Sequence, residues 1–142
     1  MTARSIVIEK DMPHPPEKIW RALTQSALLE EWLMKNDFEP VVGRKFNFRS
    51  TPMPQWNGVT DCEVLAVEPN KKLSYRWDSS GDEAKNGLRT IVTWTLTPTA
   101  TGTHLRMEQS GFRAEDKPFY QGANYGWQRM VGALEGVVSR LS

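Results

Sequence analysis

Between Phe119 and Leu141 the apolar residues recur at helical spacing. Tyr120, Ala123, Trp127, Met130, Val131, Leu134, Val138 and Leu141 fall on one stripe, roughly 100–140° wide at about 100° per residue. A helix of that length spans about 34 Å at roughly 1.5 Å per residue. The stripe carries no charge, so it needs an apolar surface to lie on. Upstream the period changes to two. Phe46 and Phe48 alternate with Lys45, Asn47 and Arg49; Leu73, Tyr75 and Trp77 alternate with Ser74, Arg76 and Asp78. Val92, Trp94 and Leu96 alternate with threonines, and Leu105, Met107 and Gln109 with Arg106 and Glu108. These read as strands with one apolar and one solvated face.

A first strand is expected over 4–12, with Ile6 and Ile8 on one face. Pro16 suits the first turn of a helix carrying Ile19, Trp20 and Leu23 inward. Ser26 reads as the N-cap of a second short helix with Leu28, Leu29 and Trp32 inward. Parity shifts between Cys62/Val64 and Leu65/Val67, which predicts a bulge. The Pro- and Gly-marked stretch 51–58 and the polar stretch 79–87 read as loops. The expected architecture is α+β: a curved antiparallel sheet of about six strands around a long C-terminal helix, with two short helices after strand 1. One domain over 1–142 is expected.

Charge narrows the function. The 18 basic and 17 acidic residues are scattered, so no nucleic-acid surface is expected. No stretch approaches a membrane span, and the single cysteine, Cys62, fits a reducing, cytoplasmic setting. The helix pair does not read as a DNA-binding motif, because its second helix carries Glu30 and Glu31. His14 and His104 lack ligand spacing, so no metal and no cofactor are expected, and no catalytic triad or phosphate loop is present.

Six Trp in 142 residues is the unusual number. They either fill the core or line a pocket. The same choice applies to Phe46, Phe48, Tyr75, Trp77, Trp94, Met107, Tyr120 and Trp127, which the pocket interpretation makes ligand-contacting. Trp56 sits in a loop, where it either lids a cavity or covers the sheet edge. Gln109, Thr90 and Asn124 are the candidate polar groups. A buried Gln109 needs a partner, either a neighbouring side chain or a ligand. Gly122, Gly126, Gly132 and Gly136 each cost the long helix roughly 1 kcal/mol relative to Ala. Gly132 and Gly136 lie opposite the stripe; with Tyr125 they are either tolerated surface positions or a weak homodimer contact.

In order and spacing, several segments together resemble one family. They are Pro16-Glu17-Lys18-Ile19-Trp20-Arg21-Ala22-Leu23-Thr24 with Leu29 and Trp32, Gly43-Arg44-Lys45-Phe46, and Val67-Glu68-Pro69. Leu73-Ser74-Tyr75-Arg76-Trp77, Thr90 to Leu96, Gly102-Thr103 and Gly126-Trp127 with Leu134 complete the set. The chain resembles START-like and Bet v 1-like helix-grip domains. Among them it is most similar to the activators of the Hsp90 ATPase, found as stand-alone proteins in bacteria. The resemblance implies a cavity between helix and sheet that holds apolar or aromatic small molecules. It also implies two alternatives: a chaperone-regulating interaction module, and a cyclase- or hydrolase-like enzyme. The aliphatic Leu134–Leu141 end is expected to be sealed. Any cavity is expected at the Tyr120–Trp127 end, gated by the 51–58 and 79–87 loops.

Overall fold

A computed structural model describes residues 4–52, 57–79, 87–113 and 116–141. The chain opens with β1 (Arg4–Met12), then α1 (Pro16–Thr24) and α2 (Ser26–Trp32). Six further strands follow: β2 (Lys35–Asn36), β3 (Lys45–Arg49), β4 (Val59–Glu68), β5 (Lys72–Ser79), β6 (Arg89–Pro98) and β7 (Thr103–Phe112). The helix α3 (Lys117–Arg140) ends the fold. All seven strands form one antiparallel sheet in the order β1-β7-β6-β5-β4-β3-β2. The helix pair carries the chain across the sheet, so β1 pairs with the last strand and the rest run as a meander.

The count exceeds the expected six by β2, two residues too short to show a period. Ser26 explains why it forms. It does not cap α2, because Gln25 holds that position and leaves Ser26 inside the first turn. Its hydroxyl donates instead to the Asn36 carbonyl at 3.1 Å, and Asn36 Nδ2 donates back to the Ser26 carbonyl at 3.2 Å. The predicted bulge is present: the β4–β5 register shifts between Val64 and Ala66 and turns Leu65 out to solvent. It bends the sheet toward α3.

The inner sheet face is the core. Phe46, Phe48, Val64, Leu73, Tyr75, Val92, Trp94, Leu96, Leu105 and Met107 are all buried. Register places Met107 opposite both Ile8 and Trp94, and Gln109 opposite both Ile6 and Val92. From α3, Trp127, Val131, Leu134, Val137 and Val138 join the same buried cluster, with Ile19, Ala22 and Leu23 from α1. Trp32 anchors α2 by donating its indole N–H to the Ala22 carbonyl at 2.8 Å.

Candidate functional site

Alternation on β5 sends Tyr75 and Trp77 inward, and on β6 it sends Thr90 and Trp94 inward. Helical spacing on α3 brings Gly122, Ala123, Gly126, Trp127 and Met130 over them. Between these elements lies a cavity of about 320 Å³. Its wall is made by Met34, Thr60, Trp77, Asp78, Ser79 and Gln109 on one side and those five α3 residues on the other. The volume falls at the small end of the range for ligand sites, and the lining is mostly apolar with a few polar groups.

Two glycines make room for it. A β-carbon added at Gly122 would meet nothing within 4 Å, and one at Gly126 would meet only Met130 Cε at 3.8 Å. Both glycines border open space at the cavity and not packed sheet atoms.

One buried polar chain ties helix to sheet beside the void. The Trp127 indole N–H donates to Gln109 Oε1 at 2.6 Å. Gln109 Nε2 donates to Thr90 Oγ1 at 2.9 Å, and the Thr90 hydroxyl donates to the Trp77 carbonyl at 2.7 Å. Gln109 thus has neighbouring side chains as partners and also lines the cavity. A second buried pair lies deeper: Trp94 Nε1 donates to the Tyr75 hydroxyl at 2.9 Å. Burial pushes the Tyr75 hydroxyl well above its ordinary value, the Trp94 bond opposing and Cys62 adding, so it stays neutral.

The aromatic residues form a connected set. Four indoles touch in series: Trp32 to Trp94 at 5.6 Å between centroids, Trp94 to Trp127 at 5.7 Å, and Trp127 to Trp77 at 5.1 Å. Phe48 joins at Trp77, 5.2 Å away, and Phe46 lies 5.6 Å from Tyr75.

The sequence-derived candidates divide accordingly. Trp77, Gln109 and Trp127 wall the cavity. Phe46, Phe48, Tyr75, Thr90, Trp94 and Met107 are buried behind that wall and support it. Tyr120 is half-buried and stands edge-on to Phe112 at 5.3 Å. Asn124 is exposed, because it falls one residue off the inward face of α3. Trp56 and most of the 79–87 loop lie outside the described residues. Met34, Thr60, Ser79, Gly122, Gly126 and Met130 were not among the candidates. The α3 members carried a signal: 122, 123, 126, 127 and 130 share one helical face.

The other ionisable candidates lie elsewhere. Burial pushes the Cys62 thiol well up, with Asp78, Asp61 and Asp37 adding to the effect, so it is an inert core residue. His104 sits on the solvated face, with Nδ1 2.7 Å from Asp11 and Nε2 3.1 Å from Glu9. Those two contacts raise its pKa above the ordinary histidine value. Among the described residues no group of His, Cys, Asp and Glu is placed to hold a metal ion.

A long helix gripped by a bent antiparallel sheet, with a cavity under one end, defines the helix-grip class. Residues 13–139 match the family described as Activator of Hsp90 ATPase homolog 1-like protein. The chain belongs to that family. It is similar to protein MLL2253 from Mesorhizobium loti, at 55% identity over 98% of this chain and 99% of that one, with a TM-score of 0.89. Protein BH1534 from Bacillus halodurans is 29% identical over 97% and 99%, with a TM-score of 0.77. An Aha1 from Colwellia psychrerythraea, solved as a dimer, shares the fold at 24% identity over 95% and 96%, with a TM-score of 0.79. Comparison with curated proteins gives no match.

Proposed function

We propose that the chain binds a small hydrophobic or aromatic molecule in the cavity under the first half of α3. The observation that carries this is the void of about 320 Å³ walled by Trp77, Trp127, Met34 and Met130 beside the buried Gln109. The pocket is open to solvent between sheet and helix, and its lining combines apolar and aromatic side chains with a few polar groups, the usual make-up of a ligand cleft. Intrinsic Trp fluorescence and thermal shift across a library of lipids and aromatic molecules test it. Saturable quenching with stabilisation is the expected result; flat signals across the library overturn it. The buried free thiol of Cys62 fits the cytoplasmic setting proposed for this activity.

The family description supports a second role, as a regulator of an Hsp90-type chaperone ATPase acting through its surface. Adding the purified protein to such a chaperone distinguishes the two: a raised ATPase rate supports regulation, an unchanged rate leaves ligand binding alone. Self-association belongs with this second role. Tyr125, Gly132 and Gly136 are exposed along α3, and light scattering at micromolar concentration tests whether they meet a second copy.

A further inference from the structure

Six methionines are spread along the chain, and the fold sorts them. Met12 and Met107 are 2% and 0% exposed, inside the core. Met34 and Met130 are half-buried, and both line the cavity. Met1 and Met53 lie outside the described residues. Among the described methionines, the two that are open to solvent are therefore the two at the candidate site.

Each of the pair also faces outward. Met34, just after α2, lines a surface hollow with Leu33, Lys35 and Arg49. Met130, on α3, lines another with Trp32, Tyr125 and Arg129. Each side chain thus borders the cavity and an open groove, so the pair stands at the rim. The Met130 methyl lies beside Gly126, itself a lining residue: a β-carbon added there would meet Met130 Cε at 3.8 Å.

A thioether at a rim is apolar, flexible and polarisable. It is also a side chain that peroxide converts to a polar one. The cysteine sulfur does not compete for oxidant, because Cys62 is buried and its thiol stays protonated. We propose that Met34 and Met130 form an oxidation-sensitive gate on the cavity, which rejects apolar ligands once hydrogen peroxide has converted the two thioethers to sulfoxides. At each residue the sulfur lone pair takes one peroxide oxygen, the O–O bond breaks, and the second oxygen leaves with both hydrogens as water. The sulfur loses two electrons and the peroxide gains them. Sulfoxide reductases restore the thioether at the expense of a dithiol, which becomes a disulfide while the oxygen leaves as water. An apolar ring packed on a sulfoxide strips its water without replacing the hydrogen bond, so the oxidised rim disfavours such a ligand. This rests on the cavity being a ligand site.

The native protein is treated with hydrogen peroxide, and the state of each methionine is read by peptide mass. Binding of phenylnaphthylamine, a neutral aromatic fluorophore, is titrated before and after treatment. The wild type and a variant carrying Met34→Leu and Met130→Leu are each compared with their own untreated form. Met34 and Met130 are expected to oxidise ahead of Met12 and Met107. Wild-type affinity is expected to fall about fivefold or more and to recover on reduction by a sulfoxide reductase, with no change in the variant. Oxidation of the pair no faster than that of Met12 and Met107 overturns the site. Oxidation of the pair with affinity unchanged, or an equal loss in the variant, overturns the gate and leaves the ligand site standing. Absence of probe binding to the untreated protein overturns the ligand site and the gate with it.

Discussion

The two halves of α3 face the same sheet and pack in opposite ways. From Val131 to Val138 the helix turns Val131, Leu134, Val137 and Val138 inward, all buried, while Gly132 and Gly136 are exposed. From Gly122 to Met130 two glycines and Ala123 sit over the cavity, and of the five lining residues only Trp127 is buried. The backbone is one continuous helix and the sheet beneath it one continuous surface. The difference lies only in which positions carry bulk. A cavity in this fold needs no change of architecture; it needs small residues on the inward face and a prop, here Trp127 on Gln109, that holds the helix at its height.

The contrast can be broken first at the sealed half. Leu134→Ala removes a fully buried side chain and should cost about 2–5 kcal/mol, measured by urea unfolding. A loss under 1 kcal/mol would mean that this half is no better packed than the other. Next comes the prop. Gln109→Leu leaves the Trp127 N–H without its acceptor and should cost about 1–3 kcal/mol in the same assay. No loss would show that the helix does not depend on it.

Gly126→Ala should act with the opposite sign. The added carbon meets Met130 Cε at an ordinary 3.8 Å, so the variant should gain up to about 1 kcal/mol of stability while binding aromatic probes more weakly. A gain in both quantities would sink the assignment of Gly126 to the cavity.

The smallest effect concerns the start of α3. Arg113 donates to both oxygens of Asp116 and to the Gly87 carbonyl. Burial pushes the Asp116 carboxyl up, but the bonds and charge of Arg113 outweigh it and hold it below the usual carboxylate range. Arg113 is partly exposed, so Asp116→Asn should cost at most about 1 kcal/mol at neutral pH. A lowered folded pKa stabilises above the unfolded pKa and loses that contribution as pH falls through the folded one. The gap between wild type and variant should therefore close in acid; a pH-independent gap would assign the effect to packing.

Much of this was legible from pattern. Alternation in 73–77, 92–96 and 105–109 gave the inner face, and helical spacing gave α3 within two residues at its start. The parity slip near Leu65 located the bulge. What period cannot supply is depth. Phe46, Phe48, Tyr75 and Trp94 share a face with Trp77, and only tertiary distance separates those that wall the cavity from those behind it. Thr60 and Ser79 were missed because single polar residues at strand ends look like turn chemistry. Gly122 and Gly126 stood out for their helical cost, and Gly126 for the family resemblance, but neither for a cavity, since a void leaves no residue to mark it.

The indole series from Trp32 through Trp94 and Trp127 to Trp77 has an optical consequence. Excitation absorbed by any of the four can migrate along ring contacts of under 6 Å to the two that wall the cavity. A quencher bound there drains light from all four, not from two of the six. Quenching at saturation should therefore exceed one third of total emission. The protein carries an antenna aimed at its own cavity.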